Sequence, residues 1–129
     1  MKEKILANIP RLENITIELN DTFSPKTCNS ILDSLPFTVN AQVWGEEIYT
    51  DESPISQAEE NAKALVDLND VAYWPSGKAI CLFFGHTPIG KKGEIKPYSP
   101  VNIIGKIMNA DKSVIKNFKE GTKITFQKS

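Results

Sequence analysis

The run from Ala79 to Phe84, AICLFF, is apolar at every position and directly follows the tight-turn signal Trp74-Pro75-Ser76-Gly77. An extended segment of this kind buries both of its faces, which only a central strand covered on two sides allows. Proline suits the first corner of a type I turn, Ser76 the second, and Gly77 the left-handed position that closes a three-residue hairpin loop. VAYW and KAICLFF are therefore expected to be antiparallel neighbours. Ala79, Cys81 and Phe83 then share one face, and Ile80, Leu82 and Phe84 the other, as in a barrel wall with packed side chains inside and a helix outside.

Shorter extended segments flank this hairpin. RLENITIEL, residues 11 to 19, alternates apolar and polar at Leu12, Ile15, Ile17 and Leu19 with one irregular step, and reads as the first strand. Ser24-Pro25 then offers an N-cap and a first-turn proline to a helix whose stripe is Cys28, Ile31, Leu32 and Leu35, stopped by Pro36. Phe37, Val39, Ala41 and Val43 mark another strand face, and the parity shift to Ile48 places a bulge or tight bend at Gly45-Glu46. Asp51 to Ala58 reads as an exposed loop and Glu60 to Val66 as extended. Gly85 to Pro97 is a polar loop, Tyr98 to Met108 a strand, Asp111 to Phe118 a second helix capped by Asp111 and ended by Gly121. TKITFQ is a last strand, expected to pair with the first and close the sheet. The sum is one mainly β domain over residues 1–129, a closed barrel of mostly antiparallel strands with two short capping helices.

Charge and cysteine usage exclude several function classes. The 129 residues carry a formal charge of -1, so no basic excess draws the chain to nucleic acid or an anionic membrane. The acid-rich stretch 46–70 and the lysine-rich stretch 91–128 read as solvated faces. Two cysteines, Cys28 and Cys81, are too few and too far apart for a disulfide framework or a zinc site, and one histidine adds no ligand cluster. No metal and no cofactor are expected. The N-terminal segment lacks the continuous apolar core of a signal peptide, and no run approaches membrane-spanning length, so a cytoplasmic protein is expected.

AQVWGEEIYT (41–50), DVAYWPSGKAICLFFGHTP (70–88) and EIKPYSPVNIIGKI (94–107), in this order and at these separations, resemble the atypical cyclophilin-like family of small prokaryotic proteins, whose biochemical role is not established. The resemblance spans about residues 15 to 126 and implies a closed cyclophilin-like β-barrel. Better-known relatives are peptidyl-prolyl cis-trans isomerases, which place an arginine guanidinium at the prolyl nitrogen to weaken a C–N bond whose rotation barrier is roughly 20 kcal/mol. The lone arginine here, Arg11, lies outside any FHR-type segment. The Q-G-G-D element is also missing, and GKAICLFF is a loose counterpart of the GSQFF strand. A lysine, lacking the planar fork, is no simple replacement.

The expected ligand is accordingly an extended or proline-containing peptide, or a small molecule, held in a groove beside the barrel. Flat apolar walls with a few polar groups suit that role, and the residues assigned to it are Trp44, Glu46, Glu47, Tyr49, Phe83, His86 and Tyr98. A homo-oligomer stays open. Two alternatives stand beside this binding module: an isomerase lacking the usual arginine, and a cysteine-dependent hydrolase built from Cys81, His86 and Glu46 or Glu47. Cysteine inside an apolar strand is more commonly a small core residue, and a loop histidine more commonly bonds to backbone.

Overall fold

The computed structural model describes residues 2–129. Eight strands close into a barrel: β1 (Lys2–Asn8), β2 (Ile15–Asn20), β3 (Phe37–Trp44), β4 (Glu47–Thr50), β5 (Asp70–Trp74), β6 (Ala79–Phe83), β7 (Asn102–Ile107) and β8 (Lys123–Lys128), in the spatial order β1-β2-β7-β5-β6-β4-β3-β8. Every pairing is antiparallel. Period-two side chains fill the interior: Ile15, Ile17 and Leu19 from β2, Val71 and Tyr73 from β5, Ile80 and Leu82 from β6, all buried. The buried Tyr73 hydroxyl donates to the Ile55 carbonyl at 2.9 Å, which satisfies the polar tip of an otherwise apolar ring.

Closure runs through a strand that the sequence reading passed over. β1 pairs with both β2 and β8, so TKITFQ meets Leu6–Asn8 rather than Ile15–Leu19. Its inward residues Ile5, Ala7 and Ile9 keep period two, but the lysines and Asn8 around them dilute the signal. The extended segment expected from Arg11 starts at Ile15; Pro10 and Arg11 form the preceding turn.

Helices α1 (Pro25–Ser34) and α2 (Ser113–Asn117) connect β2 to β3 and β7 to β8. The β2–β7 register, Leu19 opposite Gly105 and Ile17 opposite Ile107, puts these connections at opposite ends of the barrel. Cys28 and Ile31 of α1, and Val114 and Phe118 at α2, join the interior core. Ser24 does not cap α1 with its side chain and instead donates to the Glu60 carbonyl. The cap comes from afar: the Glu60 carboxylate accepts the Lys26 and Thr27 N–H groups, each at 3.0 Å, and the Thr27 hydroxyl at 2.9 Å. The N-cap of α2 is Lys112 rather than the expected Asp111, which lies one residue earlier and accepts the Ser113 N–H at 2.9 Å.

Outside the β5–β6 wall lies a second apolar layer of Ala72, Ala79, Cys81, Phe83, Val66, Ile95 and Val101. Its cover is not a helix. The segments after β4 and after β6 lie over it, joined by the bridges Lys63–Val101 and Val66–Ile95. The segment from Asp51 is thus only partly exposed, since Ser53 and Ile55 are buried. This layering explains why β6 is buried at every residue.

Of the two alternatives at Gly45-Glu46, the structure has the tight bend: a two-residue hairpin turn with Trp44 opposite Glu47. Gly45 has φ +63, and a Cβ there would stand 2.7 Å from the His86 carbonyl oxygen. In the β5–β6 turn the left-handed residue is Lys78, at φ 51. Gly77 is needed for space instead, because a side chain there would run into the Trp74 ring.

Candidate functional site

Outward-facing side chains on adjoining strands meet on the outer surface of the wall. Trp44 and Glu47 form a cross-strand pair between β3 and β4, and Tyr49 faces Cys81 between β4 and β6. Trp74 leaves the end of β5 on the same side. The segment before β7 roofs these residues with Pro97, Tyr98 and Val101, enclosing a cavity of about 290 Å³. Trp74 is tied to the roof by its indole N–H, which donates to the Ser99 hydroxyl at 2.5 Å. The roof loop itself is pinned where the buried Thr87 hydroxyl donates to the Lys96 carbonyl.

Three aromatic rings form a box. Tyr98, 72% exposed, stands edge-on to both indoles, at 6.1 Å and 69° from Trp44 and at 5.8 Å and 76° from Trp74. Tyr49 lines the same cavity from the strand floor. Opposite these apolar surfaces sits Glu47, only 4% exposed. Its Oε1 is the single buried side-chain oxygen or nitrogen among the described residues with no hydrogen-bond partner.

That environment shifts two titrations. Burial pushes the Glu47 carboxyl up to about 7, against which a hydrogen bond from Cys81 works weakly. Burial, and then the neighbouring Glu47 charge, pushes the Cys81 thiol well above its ordinary range. A thiol held protonated in this way is a poor nucleophile. None of the cavity residues is a lysine, arginine or histidine, so the carboxylate has no cationic partner there. No group of three or more potential metal ligands occurs among the described residues.

Four of the seven residues assigned from sequence, Trp44, Glu47, Tyr49 and Tyr98, line this one cavity. The other three lie elsewhere, each for a local reason. Glu46 occupies the hairpin turn and does not line the cavity, pairing instead with Lys112 at 3.3 Å and accepting the His86 N–H at 3.2 Å. His86 is exposed, its ring Nδ1 3.3 Å from the Glu94 carbonyl oxygen. Phe83 is fully buried in the outer apolar layer. The lone arginine lies in the β1–β2 turn beside Phe118 and Lys119, not at the aromatic box.

Trp74, Pro97 and Val101 complete the cavity without having been assigned to it. Strand parity carries part of the missing signal, since Trp74 has the outward phase of Ala72 and Cys81 that of Tyr49. What parity lacks is adjacency: β6 inserts between β4 and β5, so chain neighbours are not wall neighbours.

Comparison with known proteins agrees with this architecture. The solution structure of the hypothetical protein AF2241 from Archaeoglobus fulgidus superposes with a TM-score of 0.84 at 38% identity, over 99% of this chain and 95% of that one. McbB, solved in complex with tryptophan, superposes with a TM-score of 0.73 at 11% identity, over 97% of this chain and 44% of that one, a likeness of fold alone. No curated protein matches the sequence. The family described as Cyclophilin-like matches residues 3–127. With that match over nearly its whole length, the chain belongs to the cyclophilin-like family.

Proposed function

We propose that this protein is a ligand-binding barrel whose aromatic cavity takes one small molecule, or one side chain of an extended peptide, against the outer wall. The observation that carries this reading is the pairing of a roofed aromatic box with a buried acceptor, Glu47 Oε1, that no protein group satisfies. A buried oxygen without a partner costs roughly 1–3 kcal/mol, and a ligand that supplied a donor would recover it. A volume of about 290 Å³ suits a head group or a single side chain and is too small for a long substrate.

Neither enzymatic alternative finds comparable support. An isomerase of the usual kind needs a guanidinium beside the bound prolyl group, and the cavity residues include none. A hydrolase needs an activated thiol, whereas burial and the Glu47 charge keep Cys81 protonated.

The chain contains two tryptophans, and both line the cavity, so intrinsic fluorescence reports occupancy directly. Titration with a set of proline-containing peptides and small amines, alcohols and amides is expected to give a saturable change with at least one member. Tyr98→Ala, at an exposed roof position, is expected to weaken it without unfolding the chain. A flat response across the whole set would refute the binding reading.

A further inference from the structure

We infer that the ligand group this cavity recognises is a methylated ammonium, a trialkylammonium head whose methyl groups lie against Trp44, Tyr49, Trp74 and Tyr98 and whose positive charge faces Glu47. This deepens the ligand-binding reading above and rests on it.

The sign of the charge comes first. Ring faces carry negative potential and attract cations, and the box presents two indoles and two phenol rings around one space. The remaining polar group is a carboxylate, and no basic residue lines the cavity to neutralise it. An anionic ligand would meet both the rings and Glu47 unfavourably. A neutral apolar ligand would fill the space yet leave Oε1 buried and unpaired.

Counting donors then selects among cations. A lysine-type ammonium brings three N–H groups and a guanidinium five. Glu47 Oε1 is the one unused acceptor among the buried side chains described, so the remaining donors of such a group would have to be met outside the buried wall. A tertiary ammonium has one N–H for Glu47 Oε1; a quaternary ammonium has none to satisfy and meets the carboxylate through its charge alone. In both, the surface turned to the rings is methyl, which packs as well as it pairs. Cys81 adds no second negative charge to the site, because burial and the neighbouring Glu47 hold its thiol protonated.

The test compares choline with its carbon isostere 3,3-dimethyl-1-butanol, which keeps the shape and removes the charge, and trimethylammonium chloride with ammonium chloride at equal ionic strength. Tryptophan fluorescence follows each titration at mildly alkaline pH. Choline and trimethylammonium are expected to bind saturably, with the isostere at least about tenfold weaker and ammonium weaker still. Glu47→Gln, checked for folding by far-UV circular dichroism, is expected to shrink the choline-to-isostere gap to less than about threefold. Tyr98→Ala is expected to weaken both ligands together.

If the isostere binds as tightly as choline, or if only proline-containing peptides bind, the cationic assignment is overturned while the ligand-binding reading stands. If these probes and the broader set are all silent, both are overturned.

Discussion

Removing the ionisable group at Glu47 is expected to change how the stability of the fold depends on pH. The carboxyl titrates near 4.5 in an unfolded chain and is pushed up to about 7 by burial in the native cavity. Between those values the unfolded chain has released the proton and the folded one retains it, so stability falls as pH rises, by about 1.4 kcal/mol per unit. The stabilising difference is complete below the unfolded value and is lost as pH climbs to the folded value, after which the curve is flat. Across the whole window the loss is about 3 kcal/mol, and between about pH 5 and pH 8 it is about 2.5 kcal/mol. Glu47→Gln keeps the shape and removes the titration. Urea unfolding of both proteins, followed by far-UV circular dichroism so that the cavity tryptophans do not bias the signal, gives the two stabilities at each pH. The absolute stability of the variant also reflects how well its amide is accommodated, so the informative quantity is the change with pH of the difference between the two proteins. Other titrating groups cancel in that difference. A change smaller than about 1 kcal/mol over this range would mean that Glu47 ionises as it does in water, and would refute the picture of a desolvated, unpartnered carboxylate.

The same titration governs ligand capture: Glu47 must be ionised to face a cation, so choline affinity is expected to rise from about pH 6 to pH 8 and then level, since burial raises the titrations of Cys81 and Tyr49, which also line the cavity. A pH-independent affinity would contradict this. Glu60→Ala removes the distant cap of α1 and is expected to cost about 1 kcal/mol in urea unfolding. Burial opposes ionisation at Glu60, but the Lys26 and Thr27 hydrogen bonds outweigh it and lower its titration, so this contribution fades as pH falls below the ordinary carboxylate range. Both cysteines are buried, and a thiol reagent is expected to label neither until the chain unfolds; rapid native labelling of Cys81 would return the hydrolase to consideration. In a protease-free assay an Ala-Pro peptide is expected to isomerise at its background rate, and acceleration lost in Trp74→Ala would overturn that expectation.

Much of the fold was legible because the barrel obeys local rules. The proline and glycine of WPSG punctuated the β5–β6 hairpin, and continuous apolarity announced that β6 is covered on both faces, as its burial at every residue bears out. The errors share one cause, which is that the partner of a local feature lies far away in sequence. Gly77 read as a left-handed turn residue, but its constraint is the Trp74 ring folded over it. Ser24 read as the α1 cap, but Glu60, brought close by the loop after β4, supplies the carboxylate. β1 was passed over as a strand because only Ile5, Ala7 and Ile9 mark the inner face, and its pairing with β8 is visible only once the sheet has curled. At the site, Trp44, Glu47 and Tyr49 were within reach of sequence reasoning because one hairpin carries them. Glu46 was chosen for the same proximity and His86 for its place at the end of the next strand, and the fold brings these two to each other instead.

Alternation and turn chemistry in the sequence alone determined the mainly β architecture, the central strand and the two capping helices, since these depend on side chains one to four positions apart. The tertiary structure alone decided that β6 lies between β4 and β5, that the segment around Tyr98 closes over Trp44 and Trp74, and that Glu47 is left dry without a partner. A carboxylate has no desolvation until distant chain segments exclude water from it, so its raised titration, and the ligand chemistry argued from its unpartnered oxygen, belong to the closed barrel and not to the residue.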